Sequence, residues 1–240
     1  MGLRCSLGGH TLLPQQLPVE TLQFLEAQRN RLSSATARPR PWHFVELHNP
    51  WGRAAAVFDS WGFLELCQSP LLVEAASAVI GPDVILYDSQ WVPDPTFRAP
   101  DGSTWESDAH RCPVEPLSAV TILIALSSVG VSLRHEGGAD VCEVALSPGD
   151  TLACKIELAY RIEPPGGTDA PALLAVRYFA ATSRYLRDPS APMHRALTER
   201  YPLLNYATLP LWLVHGEDRA ANDFVTGFNV RAGRWTQAQR

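Results

Sequence analysis

Residues 83 to 182 constrain this chain most. Short apolar, β-branched runs follow one another there at a spacing of roughly ten residues, with no helical pattern between them. The runs are Val84 to Val92, Ser118 to Ser127, Val129 to Arg134, Val141 to Leu146, Thr151 to Leu158 and Leu173 to Thr182. Turn chemistry separates them, most plainly at Ser147-Pro148-Gly149-Asp150, where proline presets one dihedral and glycine tolerates the next. Strands in succession without crossover helices disfavour a parallel nucleotide-binding sheet and point to an antiparallel sandwich, jelly roll or barrel.

The flanks read as helical. Val19, Leu22, Phe24 and Leu25 recur at helical spacing after Pro18, which predicts a helix over about 18–32. Arg53 to Cys67 is a second candidate. Ser69-Pro70 then supplies a cap and a proline at the first helical position, and Gly81-Pro82 ends the run that follows. Behind Asp188-Pro189 a last helix is expected near Ser190 to Tyr201, before an aromatic-rich close (Tyr206, Trp212, Phe224, Phe228, Trp235). The economical division is one domain over 1–240: a helical layer (1–82), a jelly-roll core (83–182) and a helical and aromatic extension (183–240).

Composition narrows the partners. The formal charge is −5 and the basic residues form no cluster, so a grip on nucleic acid phosphates is not expected and a small-molecule partner is. No apolar run reaches the roughly 18 residues of a spanning helix, so no membrane is expected. The start MGLRCS fits an acylation pattern but lacks the polybasic second anchor, and no long apolar segment marks it for secretion. Five cysteines without a CxxC pair argue against a disulfide framework or a zinc ribbon, and point to a reduced, cytoplasmic chain. Association with itself or with a relative stays open.

The window TWESDAHRCPVEP, residues 104 to 116, concentrates the chemistry. If its first half is extended, Glu106, Asp108, His110 and Cys112 share one face, where carboxylate and imidazole could hold Fe, Mn or Zn; a solvated polar face is the alternative. His43, His48, His194 and His215 suit surface or satisfied core roles, and His135-Glu136-Gly137-Gly138 suits an exposed turn.

Several stretches resemble the phytanoyl-CoA dioxygenase family of Fe(II)/2-oxoglutarate oxygenases. WGFLELCQSPLLVEAASAVIGPDVILYDSQWV resembles that family's helix, turn and first barrel strand. STWESDAHRCPVEPLSAVTILIALSSV sits where relatives carry a His-x-Asp pair before a core strand. ALSPGDTLACKIELAYRIEPPGG and LLAVRYF resemble the late turn and strands. The resemblance covers about 56–182 and implies a mainly β fold, a double-stranded β-helix (jelly-roll, cupin-like) barrel with N-terminal and C-terminal helices.

It also implies where a metal would sit, and there the residues differ. The first histidine becomes Glu106, Asp108 is retained, and the distal histidine falls on Tyr160. The arginine that would fork 2-oxoglutarate falls near Pro171 or Ala172, neither of which can donate. A phenol with a pKa of about 10 is a poor ligand beside neutral imidazole, and a missing charged fork forfeits about 1.5 to 3 kcal/mol per hydrogen bond. The expectation is a divergent protein that binds a small molecule and needs neither metal nor cofactor. Glu106, Asp108 and Tyr160 would then be left for acid/base work such as cyclisation, isomerisation or dehydration, or to fill the hole the iron left. The alternatives are an active Fe(II)/2-oxoglutarate oxygenase with Glu106, Asp108 and His110 as ligands, and a non-catalytic partner of an active relative.

Overall fold

The computed structural model describes residues 7–13, 17–35, 40–92, 105–163, 172–200 and 206–224, with the backbone of 228–229 and 234–235. The MGLRCS start and Pro171 lie outside the described residues. Three helices precede the main strands: α1 (Val19–Ala35), α2 (Ser60–Cys67) and α3 (Pro70–Ile80). The second candidate helix starts later than expected, because Arg53–Ala56 forms only a short 3-10 turn; Asp59 then caps α2 by accepting from the Gly62 N–H at 3.0 Å. Ser69 takes the cap position of α3 without a side-chain bond, so Pro70 and Gly81, at φ 93°, mark that helix's ends.

The strands are β1 (His10–Leu13), β2 (Val84–Val92), β3 (Glu106–Ser107), β4 (Val114–Glu115), β5 (Ala119–Ala125), β6 (Val129–His135), β7 (Cys142–Leu146), β8 (Thr151–Lys155), β9 (Leu158–Glu163), β10 (Leu173–Ala180), β11 (Arg184–Tyr185), β12 (Trp212–His215), β13 (Phe228–Asn229) and β14 (Arg234–Trp235), with α4 (Pro192–Arg200) after β11. All pairings are antiparallel. The larger sheet runs β1-β8-β5-β10-β2-β12 and the smaller β3-β9-β6-β7. The fold is the mainly β, jelly-roll type expected, but as two open facing sheets rather than a closed barrel. The run Thr151 to Leu158 proves to be two strands, with a turn at Ile156-Glu157 that sends β9 into the opposite sheet.

Burial explains why the central strands read as largely apolar runs, interrupted only at Asp88-Ser89-Gln90, Thr121 and Arg177. β2, β5 and β10 are buried at every residue, since helices cover one face of their sheet and the smaller sheet covers the other. Along β5, Val120, Ile122 and Ile124 pack with Phe63 and Leu72 of the helical layer. Leu123 and Ala125 turn instead to Val131, Leu133 and Tyr160 of the smaller sheet. A third cluster, including Ile85, Tyr87, Phe179, Leu197 and Tyr206, closes one end beneath α4.

Cys67, Cys112 and Cys154 are free and buried, whereas Cys142 is disulfide-bonded, a departure from the expected fully reduced set. No single helix among the described residues is long and apolar enough to cross a membrane.

Candidate functional site

Register brings the charged side chains together. Arg177 on β10 lies opposite Thr121 on β5 and Asp88 on β2, while Tyr160 on β9 lies opposite Glu106 on β3. The ladder between β2 and β10 then slips: Arg177 faces Asp88 but Tyr178 faces Leu86, which leaves Tyr87 as the extra residue of a bulge. Ile85 and Tyr87 point into the end cluster, and Asp88 also turns inward to Arg177, so two consecutive side chains share one side of the strand.

Asp108 is the centre of the network and is 1% exposed. Arg177 pairs with it, Nη2 donating a hydrogen bond to Oδ1 at 2.9 Å while Nε makes an ion-pair contact, without a hydrogen bond, 2.9 Å from Oδ2. Thr121 Oγ1 donates to Oδ2 at 2.7 Å, and Arg111 Nη2 bridges Oδ1 at 2.5 Å and Glu106 Oε2 at 3.0 Å. The Tyr160 hydroxyl donates to Asp108 Oδ1 at 3.4 Å and receives Arg177 Nη2 at 3.3 Å. Arg177 Nη1 reaches on to Asp88 Oδ2 at 2.9 Å.

These contacts fix the protonation states. Burial by itself would raise the Asp108 carboxyl, but the Arg177 and Arg111 guanidiniums outweigh it and hold the group well below the usual carboxylate range. Burial pushes the Tyr160 phenol up, and the charges of Asp108 and Glu106 push it further, so it stays a neutral donor. Near neutral pH Asp108 is therefore an anion and Tyr160 a neutral phenol.

The structure brings Glu106, Asp108 and Tyr160 to one place and sends His110 elsewhere. The extended reading of this window fails because Ala109–Arg111 forms a 3-10 turn, which swings Arg111 inward and His110 out to an exposed pair with Glu136 at 2.8 Å. Among the described residues, no group of three or more His, Cys, Asp or Glu side chains is disposed to hold a metal ion. The other histidines take core or surface roles: His48 Nδ1 meets Ser89 Oγ at 2.8 Å, and His194 Nε2 meets the Leu186 carbonyl.

Four participants escaped the sequence reading. Arg111 lay inside the quoted window, and Asp88 carried a usable signal, since an acid within a fully buried strand requires a partner. Thr121 looked like one more strand residue. Glu46 gave no warning: it is 6% exposed, has φ 54°, and its Oε2 is met by Asn49 Nδ2 at 3.4 Å. Burial, and then the charge of Asp88, raise its carboxyl from 4.5 to about 7.

Two facing antiparallel sheets with polar residues gathered at one end define a double-stranded β-helix of the cupin-like class. Solved structures narrow this further. CytC3 with Fe(II) and alpha-ketoglutarate superimposes with a TM-score of 0.61 at 14% identity, over 97% of this chain and 94% of that one. The apo form of the non-heme monooxygenase ThoJ gives 0.59 at 16%, covering 89% and 83%. The non-heme alpha-ketoglutarate-dependent epimerase SnoN from nogalamycin biosynthesis gives 0.54 at 16%, covering 74% and 80%. No family model matches the chain, and no curated protein matches it by sequence. The chain therefore has the fold of the non-heme iron, 2-oxoglutarate-dependent enzymes, as the phytanoyl-CoA dioxygenase resemblance implied.

The residues at the site do not fit the metal of that fold. An Fe(II) ion needs free carboxylate and imidazole lone pairs. Here Asp108 gives both oxygens to guanidiniums and a hydroxyl, Glu106 pairs with Arg111, and the distal position holds a neutral phenol. Two cations already occupy the coordination sphere of the retained acid. Ala172, buried and apolar, has no donor to offer 2-oxoglutarate.

Proposed function

We propose that this protein uses the oxygenase fold as a scaffold for binding a small molecule and performs no Fe(II)/2-oxoglutarate oxidation. The state of Asp108 supports this most: removing Arg177 to admit a metal would break a fully buried ion pair, a cost of about 3–5 kcal/mol. Acid/base turnover by Glu106, Asp108 and Tyr160 would need proton exchange near neutral pH. Asp108 is held charged and Tyr160 neutral, which favours recognition over proton transfer. The test is anaerobic incubation with Fe(II), metal analysis, and a 2-oxoglutarate titration followed for succinate. The expected result is neither stoichiometric iron nor succinate; one bound iron with succinate release overturns the reading.

One observation favours a second reading, a non-catalytic partner. Trp51 and Trp61 are 57% and 62% exposed, and Trp51 stacks on Trp212 with ring centroids 5.4 Å apart. For self-association, sedimentation velocity of the wild type against a Trp51→Ser/Trp61→Ser variant decides: a dimer lost in the variant supports it, and a wild-type monomer at every concentration removes it.

A further inference from the structure

We infer that residues 206–211 form a lid over the cleft beside Asp88, with Arg187 as its latch. The inference rests on the small-molecule reading above and names the way in. The cleft lies between Tyr87, Asp88, Arg111 and Arg177 on one side and Leu197 of α4 and Tyr206 on the other, and as it stands it has room for a single water, about 10 Å³. Anything larger reaches the two guanidiniums only after a wall moves.

The walls are unequal. Tyr87, Asp88 and Arg177 stand on β2 and β10, inside the larger sheet, and Arg111 is bonded to Asp108 and Glu106. Residues 206–211 belong to no sheet: a single 3-10 turn, Tyr206–Thr208, is followed by irregular chain containing Pro210, and strand pairing begins again only at Trp212. Such a segment opens at lower cost than a strand with neighbours on both sides.

Side chains from β11 and just beyond it grip this segment by its backbone. Arg187 Nη1 donates to the carbonyls of Ala207 and Leu209, each at 2.9 Å, while Nε at 2.9 Å and Nη2 both donate to the Asp223 carbonyl. The Tyr185 hydroxyl donates to the Tyr206 carbonyl at 2.9 Å, and the Arg187 guanidinium lies over the Tyr185 ring, 4.8 Å from its centroid. One cation thus gathers three carbonyls, two of them in the lid. Beneath it waits an unmet acceptor: Asp88 is 7% exposed, its Oδ2 receives Arg177, and its buried Oδ1 has no donor. A bare buried acceptor is costly, so the floor offers an incoming N–H or O–H a place that the closed cleft can fill only with one water.

Three buried thiols supply the test, because each lies in a different cluster. Cys112 packs in the end cluster with Leu197, Tyr206 and Leu209, Cys67 packs with the helical layer, and Cys154 lies between the sheets. Burial pushes the Cys112 thiol up to about 12 and raises the other two as well, so none reacts while its cluster is closed. Alkylation by N-ethylmaleimide along a sub-denaturing urea series, with the modified positions read by peptide mass, should label Cys112 before Cys67 and Cys154 in the wild type. Arg187→Met should speed Cys112 labelling by roughly tenfold or more and leave the other two rates unchanged, since each charge-assisted bond lost from the closed state shifts the opening equilibrium by about that factor. Equal rates at the three thiols, a Cys112 that reacts last, or a Cys112 rate untouched by Arg187→Met would overturn the inference. If Arg187→Met does not fold, the order of labelling in the wild type decides alone. Iron with succinate release would sink the functional reading without altering that order, whereas loss of the order sinks only the lid.

Discussion

Asp108 and Asp88 share one guanidinium and are nearly equally buried, yet they stand in opposite conditions. Asp108 receives donors on both oxygens from Arg177, Arg111, Thr121 and Tyr160, whereas Asp88 receives Arg177 on one oxygen and nothing on the other. The difference teaches that burial alone does not make an acid functional. A fully met carboxylate is part of the framework, and a half-met one beside a cleft is available to a ligand.

Arg177→Met should break the comparison most severely, because it strips both acids at once. A loss of about 3–5 kcal/mol is expected in urea unfolding; a loss under about 1 kcal/mol would show that the network is not holding the sheets together.

Next comes the pH dependence, where Glu46 and Asp108 should act with opposite signs. Glu46 holds its proton more tightly folded than unfolded, so its contribution is full below its unfolded value and declines as pH rises through about 7. Glu46→Gln should therefore raise stability at pH 8 by up to about 3 kcal/mol and flatten that decline. Asp108 is depressed, so its contribution is present above an unfolded pKa of about 4 and is lost as pH falls further. Unfolding measured from pH 3 to pH 8 in wild type and Glu46→Gln separates the two; an unchanged slope in the variant would remove Glu46 from the account.

Tyr160→Phe should cost about 1 kcal/mol, since its two hydrogen bonds are long and its ring still fills the space between the sheets. His110→Ala should leave thermal unfolding unchanged, because its pair with Glu136 is solvent-exposed. A clear destabilisation by the second would restore His110 to the site.

Much of this fold was readable from residue type. β2 runs over the predicted Val84 to Val92, α1 and α3 fall where periodicity put them, and β5, β6 and β10 deviate only at their ends. β1 and β12 were missed because four residues such as HTLL are too few to show a period, and each becomes a strand only by adding to a sheet edge. The gathering of Glu106, Asp108 and Tyr160 followed from family resemblance, and their register bears on it directly. Arg177's position within reach of two acids, and the 3-10 turn that exchanges Arg111 for His110, depend on tertiary register that no local pattern announces.

The slip at Tyr87 has a consequence for how this molecule could change. Residues on either side of it already alternate as one regular strand would, so a chain shortened by that single codon would keep Ile85 and Asp88 facing the interior and Leu86 and Ser89 facing the helices. The aromatic wall is thus separable from the sheet that carries it. The shape of the hollow can be revised by one deletion that leaves the inward and outward alternation of the flanking residues unchanged, at the cost of the packing of Tyr87 against Phe179.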